Sequence, residues 1–209
     1  MRNLFYWRLV FFFVGIIIVS LGIVFTMRAG DIGVGSWDVL HVGLASSFGL
    51  TVGIWSILIG VTILLIDGII SKRLPRMGTI LDMMITGIFI DLFNLAIPEV
   101  TTDSMQIVAY LVGILLLSFG IGMYIIANLG VGPRDTLMML IVNKSDWSVA
   151  KTRTVIEVTV AIAGFILGGP VGVGTVIMAF FLGPLVQKAM KLNEHLFFIA
   201  TGVRQEQYN

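Results

Sequence analysis

The sequence predicts an all-α fold: a polytopic transmembrane helix bundle of six spans, made of two inverted three-span repeats. Each repeat also carries a short re-entrant or interfacial helix. Three observations carry this expectation. The 209 residues are 57% hydrophobic and 12% charged, whereas soluble chains carry roughly 25% charged residues. The apolar residues form continuous runs and not the alternating pattern of an outer-membrane barrel. A glycine-rich motif recurs in the two halves at a spacing near 97 residues.

The elements follow in order. Arg2 and Arg8 precede an apolar run from Leu9 to Met27, too long for the core of a signal peptide at about 7–15 residues. Met27-Arg28-Ala29 is a poor cleavage site, so 6–27 reads as the first span. Spans of about 20 residues follow at 51–71, 77–97, 105–127, 148–168 and 172–190. The apolar segments 36–48 and 133–143 reach only about 15–20 Å as helices, short of a bilayer core. Leu196–Val203 is also too short to cross, and 191–209 reads as a cytoplasmic tail. The chain is then one transmembrane domain, 1–209, with repeats at about 6–97 and 105–190.

Charge supports six spans. With the short helices not crossing, Arg2, Arg8, Lys72, Arg73, Arg76, Arg134, Lys144, Lys151, Arg153, Lys188, Lys191 and Arg204 fall on one side. Arg28, Asp31, Asp38, Glu99 and Asp103 fall on the other. The positive-inside rule then places both termini in the cytoplasm.

The repeat aligns Gly33-Val34-Gly35-Ser36-Trp37-Asp38-Val39-Leu40 with Gly130-Val131-Gly132-Pro133-Arg134-Asp135-Thr136-Leu137. Upstream, Gly15, Ser20, Gly22 and Ala29 match Gly113, Ser118, Gly120 and Ala127. Downstream, Gly78, Thr79 and Gly87 match Gly174, Thr175 and Gly183. An odd number of crossings per unit inverts the second copy, as in many secondary transporters whose short helices sit at corresponding positions.

The repeated motif opens each short helix. Gly33, Gly35, Gly130 and Gly132 permit positive φ, and Pro133 suits a first helical turn. Asp38 and Asp135 have two readings: caps that accept backbone N–H groups, or contacts to a solute or ion. The motif is not a dinucleotide fingerprint, because no strand precedes it and the glycine spacing differs.

Ionisable groups inside spans are costly and often functional. Asp91, with Asn94 on the same helix face, has no local cation and is a cavity candidate. Glu157 either pairs with Arg153 one turn away or faces a polar cavity. Asp82 has Lys72, Arg73 and Arg76 as neighbouring cations, and Asp67 reads as interfacial. His41, one turn after Asp38, reads as a packing residue or a proton relay. Arg28 either snorkels or neutralises Asp31 or Asp38. Gly49-xxx-Gly53 and Gly164-xxx-Gly168 allow close helix approach. A homo-oligomer and a membrane partner protein both stay open.

Several classes are excluded. There is no Cys, and the two His make no metal-ligand motif, so neither a metal nor a cofactor is expected. A net charge of +1 without a basic cluster gives no nucleic-acid footprint. There is no P-loop, HExxH or GxSxG motif, so the chain is not expected to be an enzyme.

Leu129-Gly130-Val131-Gly132-Pro133-Arg134-Asp135 resembles the motif of the YczE/YyaS/YitT-type bacterial membrane proteins. Gly33 to His41, with Gly43-Leu44 and Leu50-Thr51-Val52-Gly53, is similar to the YczE-type signature in particular. Ser36 stands where the second copy has Pro133. The resemblance covers about residues 5–190 and implies a bacterial inner-membrane location without assigning a function. The lipid bilayer is the surrounding partner. The expected function is a small-solute secondary transporter or channel, with a non-transporting accessory protein as the alternative.

Overall fold

The computed structural model describes residues 2–147 and 149–203, except for the side chains of residues 2, 3, 31, 149 and 150. Among the described residues every regular element is helical. The order is α1 (Arg2–Met27), a 3₁₀ turn (Gly30–Ile32), α2 (Ser36–Phe48), α3 (Val52–Ser71), α4 (Met77–Ala96), α5 (Asp103–Ala127), α6 (Pro133–Lys144), α7 (Val149–Ile166) and α8 (Val173–Thr201).

Five of these helices, α1, α3, α4, α5 and α8, are long and apolar enough to cross a membrane. The sixth expected span is α7. It has 18 residues, and Lys151, Arg153 and Glu157 dilute its apolar character. Part of the expected tail is helical: α8 runs through Pro184 for 29 residues to Thr201. Asn193 and Phe197 are fully buried there, with Phe197 edge-on to Phe11 of α1 at 5.1 Å. Aromatic burial of this kind anchors the extension. Residues 204–209 of the expected tail lie outside the described residues.

The centre is an antiparallel pair, α1 against α5. Their glycines set the approach. A Cβ on Gly15 would meet the Gly120 carbonyl oxygen at 2.9 Å, and one on Gly22 would meet the Gly113 carbonyl oxygen at 2.9 Å. The register therefore ascends in one helix as it descends in the other. Four glycines from the matched upstream segment bring backbone against backbone, the packing that small residues allow in lipid. α4 packs on α1 and α8 on α5. Outside them, α2 lies against α7 and α6 against α3. Exposed side chains such as Leu65, Ile69, Leu92, Leu111, Ile162, Ile166 and Phe181 cover the periphery with apolar surface. That surface suits a bilayer and not water.

The short helices are positioned by their leading glycines. Gly33 has φ 101° and packs against the Gly172 nitrogen and the Thr175 hydroxyl at the start of α8. Gly130 has φ 155° and packs against the Thr79 nitrogen and hydroxyl at the start of α4. A side chain at either position is disfavoured both by the backbone angle and by the neighbouring atoms. Each half thus clamps its short helix onto a long helix of the other half.

Candidate functional site

The first turns of α2 and α6 meet at a cavity of about 170 Å³ between the two halves. α3 contributes the middle of its length to the wall, through Ser56, Ile59, Gly60 and Ile63. The polar lining gathers Asp38 and His41 from α2, Asp82 from α4, Tyr124 from α5, Arg134 and Asp135 from α6, and Arg153 and Glu157 from α7.

Asp38 is 2% exposed and lies 3.3 Å from the Arg134 guanidinium, which reaches it from α6. The same guanidinium sits 5.4 Å from the centre of the Trp37 ring, a cation–π contact. Arg134 therefore ties the N-terminus of one short helix to the N-terminus of the other. His41 is 1% exposed, and its Nδ1 has no hydrogen-bond partner, standing 3.9 Å from Asp38 Oδ1. Asp135 accepts a hydrogen bond of 3.3 Å from the Tyr124 hydroxyl. Asp82 comes against the first turn of α6, where a Cβ on Gly132 would lie 2.8 Å from its Oδ2.

Two readings of the motif change here. Neither Asp38 nor Asp135 accepts a backbone N–H from its own helix, and the N-caps Gly35 and Gly132 make no side-chain capping bond. The aspartates point into the cavity instead of holding the turn. Gly35 and Gly132 also have ordinary negative φ, −62° and −59°. They are small because Met178 and Asp82 press against them.

Of the other residues singled out by sequence, Glu157 lines the cavity and forms no ion pair with Arg153 among the described residues. Asp91 and Asn94 lie elsewhere. Asp91 accepts from the Thr51 hydroxyl and from the Gly53 backbone N–H at 2.8 Å, holding the first turn of α3 against α4. The Asn94 backbone carbonyl accepts from Arg28 at 2.7 Å, and its side-chain Oδ1 has no partner. Arg28 neither snorkels nor reaches Asp38. It is 6% exposed, pairs with Glu99 at 3.0 Å and binds the final carbonyls of α4. The side chain of residue 31, its other expected partner, lies outside the described residues.

Asp82, Tyr124 and Arg134 have no site role legible in the sequence alone. Asp82 neighbours the loop cations in sequence, yet it forms no ion pair with them. The available signal was Arg134 itself, a cation inside the repeated motif where the first copy has Trp37. No group of three or more His, Asp or Glu that could hold a metal occurs among the described residues.

Comparison with known proteins matches residues 6–191 to a family of unknown function, DUF6198. The chain is 37% identical over 197 residues to the uncharacterized membrane protein YczE of Bacillus subtilis (strain 168), covering 94% of this chain and 92% of that protein. It is 30% identical over 193 residues to the uncharacterized protein YyaS of the same organism, covering 91% and 96%. It is 35% identical over 157 residues to an uncharacterized protein of Haemophilus influenzae (strain ATCC 51907 / DSM 11121 / KW20 / Rd), covering 74% and 72%. No solved structure matches the chain significantly. With its multi-pass apolar helices and a match across nearly its whole length, this chain is a membrane protein belonging to the DUF6198 family.

Proposed function

We propose that this protein is a secondary carrier or channel for a small solute in the bacterial inner membrane, with both termini cytoplasmic and no chemistry performed on the solute. The single observation that carries the reading is the shared cavity. Two short helices from different halves aim their N-termini into it, and opposed carboxylates and guanidiniums line it. Inverted repeats around a central site move by rocking one unit against the other.

The packing is consistent with such a motion. The antiparallel α1–α5 pair fits a two-fold axis in the membrane plane. The pairings α1–α4 and α5–α8 exchange under that axis, as do α2–α7 and α3–α6. The largest departure from it is that α3 packs closely on α4 through Gly53 and Gly87, whereas α7 makes no extensive contact with α8. Exchanging these two arrangements between the halves is the access change a carrier needs. α7, short and charged, completes six spans in this reading. An accessory protein, the other function compatible with the sequence, has no use for a polar cavity between two mobile halves.

The absence of Cys makes the test direct. Ser56→Cys places a thiol on the cavity wall. In right-side-out and inside-out vesicles, a membrane-impermeant thiol reagent should modify it from both faces. A thiol reached from neither face would mark a sealed bundle and defeat the carrier reading.

A further inference from the structure

The charges of the cavity do not balance. Four carboxyl side chains, Asp38, Asp82, Asp135 and Glu157, share it with two guanidinium groups, Arg134 and Arg153. Arg134 is paired with Asp38, and Arg153 lines the same space with no ion pair among the described residues. Asp82 is 8% exposed and has no ion-pair or hydrogen-bond partner among the described residues. A buried carboxylate left without a cation is strongly disfavoured. On the same cavity, the buried His41 offers an Nδ1 with no hydrogen-bond partner. The site is therefore built for something it does not itself supply.

The repeat shows where the imbalance was introduced. Gly35 and Gly132 occupy equivalent places on α2 and α6. A Cβ on Gly35 would lie 3.1 Å from Met178 Cε, and one on Gly132 would lie 2.8 Å from Asp82 Oδ2. Met178 and Asp82 follow Gly174 and Gly78 at the same distance in sequence, so they are matched positions. One half presents a thioether where the other presents a carboxylate. The acidic groups thus gather at the α6 end, where Asp82, Asp135 and the Tyr124 hydroxyl surround one helical turn. Much of the remaining wall is apolar and soft, with Met83, Met138 and Met178 facing the space.

We infer that the solute is a small organic cation, a primary amine, whose ammonium is held by Asp82, Asp135 and the Tyr124 oxygen while its carbon skeleton lies along the methionines. This rests on the carrier reading and names its substrate class. An ammonium has three donors to share among those three acceptors. A bare metal ion would find no sufficient ligand set among the described residues, and a methionine wall is of no use to a hydrated ion. An anion would meet the excess carboxylates.

The test is thermal unfolding of the purified full chain with primary amines from methylamine to butylamine and putrescine. Butyrate and 1-butanol serve as matched anion and neutral probes. At least one amine should raise the melting temperature saturably, as a ligand selective for the folded state does, and butyrate and butanol should not. Asp82→Asn should weaken that amine at least tenfold, whereas Asp91→Asn, outside the cavity, should leave it unchanged. On the unmodified chain, the same amine should protect Asp82 from a hydrophobic carbodiimide, read by peptide mass spectrometry. That second measurement stands if Asp82→Asn fails to fold. A saturable shift by butyrate, no shift with any amine, or equal affinity in Asp82→Asn overturns the inference. Amine binding with Ser56→Cys sealed from both faces would keep the cation site and remove the carrier. Two-sided labelling with binding of butyrate alone would do the reverse.

Discussion

Arg28 shows how a single buried charge is made tolerable in this fold. Its Nη2 donates to the Asn94 and Ile97 carbonyls at 2.7 Å each, and its Nε donates to Ile97 at 3.1 Å. Those carbonyls end α4 and have no partner within the helix. A cation at a helix C-terminus also meets the negative end of the dipole. Its carboxylate partner Glu99 is 76% exposed and adds little. Arg28→Ala should therefore destabilise the protein by about 2–4 kcal/mol, since charged hydrogen bonds contribute roughly 1.5–3 kcal/mol each and are not additive. Glu99→Gln should cost about 1 kcal/mol or less. Unfolding in detergent by denaturant distinguishes the two, and equal losses would contradict the capping account. At this scale, the charged residues of the site were only partly legible. Asp38, Asp135, His41 and Glu157 stand out as membrane-buried ionisable groups and do line the cavity. Asp91 stands out equally and caps α3 instead. Nothing local separates these cases, because the difference lies in which residues a distant helix brings opposite them.

Among the elements, the α1–α5 contact depends on four glycines whose missing side chains are replaced by backbone. A Cβ on Gly22 would meet the Leu117 nitrogen at 2.7 Å and the Gly113 carbonyl oxygen at 2.9 Å. Backbone cannot move aside as a flexible side chain can. Gly22→Ala should therefore destabilise by about 1–3 kcal/mol from overpacking, against a gain in helix propensity of about 1 kcal/mol. Gly68 in α3 is the control, since the nearest atom to its Cβ position is the Arg73 carbonyl oxygen at 3.7 Å. Gly68→Ala should be stabilising by about 0.5–1 kcal/mol. Thermal melts of both variants check the opposite signs. Helix boundaries were largely legible, because long apolar runs and Gly or Pro punctuation mark them. The short segment 36–48 agrees at both ends with α2. The extension of α8 was not legible, because it follows Pro184 and carries Lys188, Lys191 and Glu194. Packing of Phe197 and Asn193 against other helices decides it.

For the whole molecule, the proposed inverted arrangement makes a topological prediction. Ser71 ends α3, and Val171 precedes α8, at the corresponding point of the other half. Val171→Cys should react with an impermeant thiol reagent in intact cells, and Ser71→Cys only after permeabilisation. Reaction of both from outside would mean parallel repeats and short helices that cross. The sequence by itself determined the membrane class and the place of most helical segments, and it carries a motif repeated at a spacing near 97 residues. These follow from local apolar content and from identity at a constant spacing, which need no partner to be read. Only the tertiary structure decided the site. It brought in Asp82, Arg134 and Tyr124, and it left out Asp91 and Asn94. The physical reason is that a helix apolar all round does not announce which side faces protein and which faces lipid. That orientation is set by backbone contacts between residues far apart in sequence, Gly15 on Gly120 and Gly33 on Gly172 among them. The same contacts set the short-helix termini and the unbalanced carboxylates around one space.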